Sequence, residues 1–419
     1  MKRLLMIAYH FPPLAGSSGI QRTLRFARHL PQFGWEPMIL TADPRAYERV
    51  SDDQLDDVPP GSIVERAFAL DSARHLAIMG RYPAFIARPD RWATWWLGAI
   101  PKGLAMIRKY RPHAIWSTYP IATAHRIGYT LHRISGLPWV ADFRDPMAQD
   151  GYPADPKTWR SFKNIEQEAL RRASCSVFVT PGAARMYRNR YPDVPDARIA
   201  VIENGYDEES FALLDRSAER EGALTPGTLT LVHSGVVYPS ERDPTHFFQA
   251  LRRMLDDGSL KPGELRVRLR APAHEALLGH LISTYRVAEV VELAPPIPYR
   301  DALKEMMRVD GLLVLQARNC NEQIPAKVYE YLRCRRPIFG LTDPAGDTAT
   351  LLRRAGGHHI ARLDSAEEIA LELRRFLDQV KRSEAPLPNE VVVSESSRAN
   401  RTRELASLLE RLPLSMQAA

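Results

Sequence analysis

The chain has 419 residues, a net charge of +7 and the apolar and charged fractions of an ordinary water-soluble globular protein. This length exceeds what one hydrophobic core usually serves, so two domains are expected. Three cysteines without a CxxC pair argue against a disulfide framework or a zinc site. The net positive charge is compatible with binding to nucleic acid, phosphorylated small molecules or an anionic membrane surface. Nucleic acid is the least supported of the three, because the sequence shows no nucleic-acid-binding motif.

The first half of the chain alternates short apolar segments with helical patterns, which is typical of a parallel sheet covered by helices. Leu4–Tyr9 is the first predicted strand, and a loop rich in proline, glycine and serine separates it from a helix predicted over Ile20–Phe33. Further strands are predicted at Pro37–Thr41, Ala114–Ser117, Trp139–Asp142, Cys175–Thr180 and Ile199–Ile202, with helices near Ile100–Tyr110, Ala122–Ser135 and Trp159–Ala173.

A second series of the same kind follows the polar stretch at residues 204–228. Its predicted strands are Thr230–Ser234, Arg266–Leu269, Val290–Leu293, Gly311–Leu315 and Pro337–Leu341, and its predicted helices are Thr245–Asp256, Tyr299–Met307, Ala326–Cys334, Glu367–Val380 and the tail Ser396–Leu412. We therefore expect an α/β protein of two similar parallel-sheet halves joined near residue 205. Ligands of such sheets bind at the carboxyl ends of the strands, so a cleft between the halves is the expected site.

The segment from Glu322 to Glu330 places two carboxylates around a predicted helix start, with Pro325 in the first helical turn. Glu322 then lies in the preceding loop, and Glu330 lies about two turns inside the helix. Amides at a helix start attract phosphate, so the segment suits a sugar nucleotide whose hydroxyls meet the two carboxylates. An amphipathic helix with two solvated glutamates is the alternative.

The N-terminal loop from His10 to Arg22 follows a strand and opens a helix. Gly16 and Gly19 let the backbone approach a ligand, and Arg22, one turn into the helix, can meet a phosphate. The loop lacks the GxGxxG pattern, which disfavours a nicotinamide-dependent oxidoreductase. A tight strand-to-helix turn without a ligand explains the same residues.

Charges of both signs follow the strand that begins at Trp139, namely Asp142, Arg144 and Asp145. Such residues are common in the active sites of α/β proteins, and a structural ion-pair cluster is the competing interpretation. His125, on a predicted helix, is either a candidate for proton transfer near neutral pH or a structural histidine.

Three cations in the second half are candidates for balancing phosphate charge. Arg242 precedes the helix that follows the strand ending at Gly235, Lys327 lies within the Glu322–Glu330 segment, and Arg270 ends another strand. A solvated surface charge is the alternative for each of them.

The aromatic segment Trp92–Ile100 is flanked by Arg88, Arg91 and Lys102. Tryptophans beside basic residues suit a membrane interface, and buried packing of the same tryptophans is the alternative.

Together these motifs resemble a known family, the GT-B glycosyltransferases, and within it the GT4-like retaining group of bacterial polysaccharide and exopolysaccharide synthesis. The resemblance spans nearly the whole chain and rests on Pro12–Gly16, Asp142–Pro146, Ile202–Asp207 and the E-x7-E pattern that runs from Glu322 on to Pro337. It implies two Rossmann-like domains facing a central cleft. Residues 1–205 would form the acceptor domain and 206–394 the donor domain, with a C-terminal helix in 395–419 packing back on the first.

The resemblance also implies roles for single residues, in three groups. The donor-binding group comprises Gly16, Gly235, Arg242, Ile324, Lys327 and Glu330. The catalytic group comprises Asp142, His125 and Glu322, and the acceptor side comprises Arg22, Arg144 and Asp145.

Within these groups, Glu322 would contact hydroxyls of the transferred sugar and Glu330 those of the ribose, while amides near Ile324 hold phosphate. Asp142 or His125 would orient or deprotonate the acceptor hydroxyl. Family members commonly need no metal and retain anomeric configuration, so no cofactor is expected beyond the nucleotide-sugar substrate.

The expected partners are a nucleotide sugar and a glycan or polyprenyl-linked acceptor, with no nucleic acid. The cysteine pattern suggests a reducing compartment, and the apolar run at the start is short for a signal peptide. A cytoplasmic location is therefore expected, with peripheral contact to the inner face of the cell membrane.

Two positions depart from the family pattern. Ser17 stands where a second glycine is common, and Val236 stands where an arginine often follows the glycine matching Gly235. One leaving-group cation is therefore missing or supplied from elsewhere, with Lys327 and Arg270 as candidates. Two rival functions stay open, a sugar-nucleotide epimerase of the same fold and a non-catalytic partner protein.

Overall fold

The structure, a computed structural model, describes residues 1–16, 19–218 and 224–413. Two compact units divide the chain. The first comprises Met1–Glu203 together with the C-terminal stretch that begins at Arg398, and the second comprises Asn204–Ser397.

The first unit is built on a seven-stranded parallel sheet in the order β3-β2-β1-β4-β5-β6-β7. Its strands are β1 Lys2–Ile7, β2 Trp35–Ala42, β3 Ile63–Ala67, β4 Ala114–Thr118, β5 Trp139–Asp142, β6 Cys175–Phe178 and β7 Ile199–Val201. Its helices are α1 Gly19–His29, α2 Ser72–His75, α3 Trp95–Tyr110, α4 Ala122–Ser135, α5 Pro156–Arg172 and α6 Pro181–Arg190. The run Leu4–Ile7 is fully buried because β1 has strands on both sides and helices over its faces.

The second unit repeats this plan with a six-stranded parallel sheet in the order β10-β9-β8-β11-β12-β13. The strands are β8 Leu229–Ser234, β9 Leu265–Arg270, β10 Val291–Ala294, β11 Gly311–Leu315, β12 Ile338–Leu341 and β13 Ile360–Ala361. The helices are α7 Glu208–Ala218, α8 Thr245–Asp256, α9 Glu275–Tyr285, α10 Tyr299–Arg308, α11 Lys327–Arg333, α12 Asp347–Arg354, α13 Ala366–Lys381 and α14 Glu390–Glu395. The expected α/β architecture of two Rossmann-like parallel-sheet halves is confirmed.

The C-terminal helix α15, Arg398–Glu410, belongs to the first unit and packs against α1. Leu405 and Leu409 of this helix join the hydrophobic core of that unit. Polar contacts fix its two ends, since Arg401 donates to the Glu203 carboxylate at 2.7 Å and the Trp35 indole donates to Glu410 at 2.9 Å.

Several observed elements were not predicted from the sequence, namely β3, β13, α2, α6, α7, α9, α12 and α14. In β3 only Ala67 is fully buried, so this edge strand lacks the apolar run that marked its neighbours. Within the described residues, none of the helices combines the length and apolar content needed to cross a bilayer.

Candidate functional site

The second unit gathers several predicted site residues at the carboxyl end of β8. The strand ends at Ser234, and Gly235 follows with φ of +105°, a backbone conformation that favours glycine. A Cβ on Gly235 would lie 3.1 Å from Nζ of Lys327. The strand end and the lysine of α11 are therefore in direct contact.

Two hydrogen bonds fix α11 at this strand end. The hydroxyl of buried Tyr331 accepts a hydrogen bond from the Ser234 amide at 2.8 Å. Nζ of Lys327 lies 3.0 Å from Nε2 of buried His233, whose Nδ1 lies 3.0 Å from the carbonyl oxygen of Leu313. Since a carbonyl oxygen can only accept, Nδ1 carries the hydrogen and Nε2 accepts from the lysine.

Lys327 occupies an electrostatically unfavourable position. Burial lowers the pKa of Lys327 well below its usual value, the Arg242 guanidinium lowers it further, and Glu330 opposes the shift. Arg242 also donates a hydrogen bond to the carbonyl oxygen of Val236. Two cations thus converge on the end of β8, where a bound anion would relieve the repulsion between them.

The two glutamates of the E-x7-E segment have different surroundings. Glu330 is partly buried, and its Oε1 accepts a hydrogen bond from the Tyr299 hydroxyl at 2.8 Å. Glu322 is exposed in the irregular segment before α11, whereas the Ile324 side chain packs into the core of the second unit.

The helix predicted at Ala326–Cys334 is observed one residue shorter at each end, but the expected placements of Pro325 and Glu330 relative to it are wrong. The seven-residue helix α11 begins at Lys327, so Pro325 precedes the helix, and Glu330 lies about one turn inside it rather than two. The side-chain amide of buried Gln316 donates to the carbonyl oxygen of Gln323 at 2.8 Å, which engages this carbonyl outside the helix. A short helix also supplies little dipole, so the attraction for phosphate depends mainly on the two cations.

Arg270 does not contribute to this group of cations. Its guanidinium forms a bidentate pair with Glu305 at 2.9 and 2.6 Å and also donates to the carbonyl oxygen of Pro295 at 2.6 Å. Of the two candidates for replacing the arginine absent at Val236, Lys327 is therefore the one that lies beside Gly235.

A cavity of about 560 Å³ opens at the same edge of the second sheet, among residues that follow β11, β12 and β13. Its lining includes Gln316, Arg318, Asp343 and Arg362. Gln316 and Asp343 are engaged by neighbouring residues, because Gln316 donates to backbone carbonyls and Asp343 accepts from Asn321 at 2.8 Å.

In the first unit, Arg22 and Asp142 form a buried ion pair. The Arg22 guanidinium donates to both Asp142 oxygens at 2.9 and 2.7 Å, and the Thr118 hydroxyl donates to the same carboxylate at 2.8 Å. Arg22 is 6% exposed and Asp142 0% exposed. Arg22 also donates to the carbonyl oxygens of Ile202 and Glu203, at 3.0 and 3.2 Å, so it ties α1 to the end of this unit.

His125 is fully buried in α4. Its Nδ1 lies 2.8 Å from the Ser117 hydroxyl, and its ring contacts Phe143 and Trp139. Burial lowers the pKa of His125 to about 4, with Asp142 opposing the shift, so the ring is neutral near pH 7. The catalytic role stays a prediction, and burial favours packing.

The remaining predicted residues of the first unit surround the start of α1. Arg144 has φ of +45° and donates to the carbonyl oxygen of Gly19 at 3.2 Å. A Cβ on Gly19 would lie 2.2 Å from Nδ1 of His10, so only glycine fits here. Asp145 is exposed beside this group, and Gly16 has φ of +77°. The departure at Ser17 lies outside the described residues.

Sequence reasoning missed His233, Tyr331, Tyr299 and Thr118, which hold the predicted residues in place. The position of His233 could have identified it as a candidate site residue, because it lies two residues before Gly235 at the end of a predicted strand. The others bond to residues far away in the chain, so no local pattern revealed them.

Residues 18–205 match the protein family described as Glycosyl transferase 4-like domain. A comparison with curated protein sequences finds no match.

Solved structures resemble the chain over nearly its whole length. HepE from Anabaena, in complex with UDP and glucose, is 14% identical over 98% of this chain and 100% of that one, with a TM-score of 0.65. Sucrose-phosphate synthase from Thermosynechococcus elongatus is 13% identical over 98% and 97%, with a TM-score of 0.62. UDP-N-acetylglucosamine 2-epimerase from Rickettsia bellii is 10% identical over 98% and 96%, with a TM-score of 0.53. At these identities the similarity establishes the fold.

Proposed function

We propose that this protein is a retaining glycosyltransferase, because residues 18–205 match the glycosyl transferase 4-like domain and the whole chain has the GT-B fold. It would move a sugar from a nucleotide-sugar donor to a glycan or polyprenyl-linked acceptor. The observation that carries the proposal is the convergence of Lys327 and Arg242 on the end of β8, beside Glu330.

On the donor side, Lys327 and Arg242 would balance the charge that develops on the leaving diphosphate. Glu330, held by Tyr299, would accept hydrogen bonds from ribose hydroxyls, and exposed Glu322 would contact the transferred sugar. The backbone amide of Ile324 would add a phosphate contact.

On the acceptor side, Arg144 and Asp145 would meet the acceptor at the start of α1. Asp142 and His125 are buried behind this surface. We propose that they act as positioning residues, with Asp142 holding Arg22 in place.

A sugar-nucleotide epimerase is the second candidate, because one structural neighbour is UDP-N-acetylglucosamine 2-epimerase. An epimerase would convert a nucleotide sugar without an acceptor, whereas a transferase would leave the sugar moiety attached to another molecule. Product analysis with and without acceptor separates the two functions.

The first test is a thermal-stabilisation screen with UDP-, GDP- and ADP-sugars, in which we expect one base to raise the melting temperature. UDP-sugars come first because the solved structure of HepE is a complex with UDP and glucose.

With the donor identified, Glu322→Ala should lower the turnover of that donor by about 10²-fold, since a transition-state hydrogen bond is lost. Glu275→Ala, an exposed glutamate of α9, is the matched control. Unchanged turnover in Glu322→Ala would remove Glu322 from the site, and no stabilisation by any sugar nucleotide would favour a non-catalytic partner protein.

Transfer is expected to persist in EDTA. Lys327 and Arg242 together bring two positive charges to the proposed diphosphate position, which is the charge that a divalent cation would otherwise supply. Initial rates measured before and after chelation check this. Loss of activity that only Mg²⁺ or Mn²⁺ restores would contradict it.

Donor binding is expected to take up protons. In the free protein, burial and Arg242 lower the pKa of Lys327, and a diphosphate would raise it again. Between these two pKa values the complex holds a proton that the free protein lacks. Donor affinity should therefore fall as the pH rises through this window, below the ordinary lysine value of 10.5.

Calorimetry in two buffers of different ionisation enthalpy measures this uptake. We expect different apparent binding enthalpies for the wild type and equal ones for Lys327→Met. Equal enthalpies for the wild type in both buffers would show that Lys327 does not change its protonation.

A further inference from the structure

The stretch from the end of β3 to the first turn of α3, residues 68–98, forms a closed surface loop. At its base, the Leu70 amide and carbonyl both bond the Thr94 hydroxyl, at 2.8 and 3.0 Å. Inside it, the Ser72 hydroxyl lies within hydrogen-bond distance of the carbonyl oxygens of Ile86 and Arg91, at 3.2 and 2.9 Å. The loop therefore has its own polar interior and does not depend on burying its outer side chains.

The outer side chains of this loop are apolar. Ile78 is 79% exposed, Met79 99% and Phe85 71%, and apart from Met1 these are the largest exposures among the big apolar side chains of the described residues. Phe68 and Leu97 are also exposed, at the two ends of the loop. Large apolar side chains that are exposed this close together along the chain indicate an interaction surface.

The turn at the tip places a methionine, Met79, at a position that disfavours it. Ile78 and Arg81 bond each other through both backbone groups, and the two central residues, Met79 and Gly80, have φ of +51° and +74°. Asparagine or glycine is favoured at both central positions of such a turn. A methionine there is strained, and its side chain extends fully into solvent.

The charges around these apolar tips are positive. The loop contains Arg74, Arg81, Arg88 and Arg91, against two aspartates. Both aspartates accept hydrogen bonds from other residues of the protein. Asp71 accepts from the Arg91 guanidinium at 3.0 Å, and Asp90 accepts from the backbone amide of Thr123 at 2.8 Å. Arg91 also pairs with Glu48, and Arg88 lies 3.6 Å from Asp155.

The tryptophans at the C-terminal end of the loop have a different role. Trp95 is fully buried, and Trp92 and Trp95 pack on Tyr9 with ring centroids 4.8 and 5.8 Å apart. The segment Trp92–Ile100 is thus mainly packing, and it anchors the loop to the first sheet. Phe68 directly follows β3, so the loop lies at the carboxyl edge of that sheet, the edge at which β5 ends in Asp142.

We propose that the tips of the 68–98 loop, Ile78, Met79 and Phe85, insert into the interface of an anionic membrane, with Arg74 and Arg81 contacting lipid phosphates. Apolar side chains and nearby cations act together in such binding. The proposal rests on the proposed function, because a polyprenyl-linked acceptor would be presented at this membrane.

The test is sedimentation of the full chain with phosphatidylcholine vesicles that contain or lack phosphatidylglycerol. We expect binding to the anionic vesicles to weaken with added salt. The variant Ile78→Ser/Met79→Asn/Phe85→Ser should lower the partition coefficient by about tenfold or more. Arg81→Glu should also lower it about tenfold, by loss of the contact with anionic lipid.

The matched control is Leu371→Ser/Val391→Ser, which removes two exposed apolar side chains of the second unit and should leave the partition coefficient unchanged. Equal binding of the wild type and the triple variant would overturn the proposal, as would a wild type that binds neither vesicle. Conversion of a dimer to a monomer by the triple variant in size-exclusion chromatography would assign the surface to a second copy instead. Donor-induced stabilisation, measured on the same preparations, reports separately on the proposed function.

Discussion

Lys327→Met is expected to lower the turnover number by about 10²- to 10³-fold, because it removes one of two positive charges at the proposed diphosphate position. KM for the donor should change less than the turnover number, since the charge on the diphosphate is largest in the transition state. The measurement is steady-state kinetics with saturating acceptor. The substitution preserves the length and apolar stem of the side chain and removes its charge together with its hydrogen bond to His233.

The fold should tolerate this change. Lys327 is held in a position where burial and Arg242 disfavour its charge, and the main loss is one hydrogen bond to His233. We therefore expect the free energy of unfolding to fall by no more than about 1 kcal/mol. Lys261→Met, at an exposed lysine of the same unit, is the matched control.

A double-mutant cycle with Arg242→Met shows whether the two cations act on one group. If both balance the same diphosphate, the double variant should lose less activity than the product of the two single losses. Unchanged turnover in Lys327→Met would contradict the assignment, and the charge missing at Val236 would then come from another residue.

The fold was largely predictable because its central strands carry their own signal. Leu4–Ile7 and Gly311–Leu315 are continuous apolar runs, and both are buried in the middle of a parallel sheet. The edge strand β3 was not predictable, because it pairs with only one neighbouring strand and is largely unburied, so it has no continuous apolar run.

The site was predictable in its residue types and less so in its contacts. The E-x7-E segment identified Lys327 and Glu330 as candidates, but the partner of the lysine, His233, is 94 positions away in the sequence. Pro325 was wrongly assigned to the first helical turn because proline is equally compatible with that turn and with the loop before it. The spacing of residues along the chain predicts local geometry only. It could not predict the contact between α11 and β8, because these elements are distant in the sequence.

The same limit applies to Arg22 and Asp142. The sequence assigned Arg22 to the acceptor side and Asp142 to catalysis, whereas the structure joins the two in one buried pair. A carboxylate that accepts from Arg22 through both oxygens and from Thr118 as well has little capacity left for a substrate hydroxyl.

Asp142→Ala is therefore expected to lower the free energy of unfolding of the first unit by about 3–5 kcal/mol, because it leaves the buried Arg22 guanidinium without its counter-charge. All seven tryptophans lie in this unit, so tryptophan fluorescence during denaturant unfolding reports on it alone. The matched control is Asp196→Ala, which removes an exposed pair with Arg188 and should cost no more than about 1 kcal/mol.

Asp142→Asn separates a positioning role from a catalytic one. The amide keeps one acceptor for Arg22, so the fold should survive with a smaller loss of stability. Donor binding should be unchanged because Lys327, Arg242 and Glu330 belong to the second unit. If Asp142 positions Arg22, lower temperature or a stabilising osmolyte should restore much of the transfer activity. If Asp142 removes the acceptor proton, the asparagine variant should stay inactive although it is folded and binds donor. The second result would return Asp142 to the catalytic role, and its burial would then require the surrounding loop at Arg144 to open when acceptor binds.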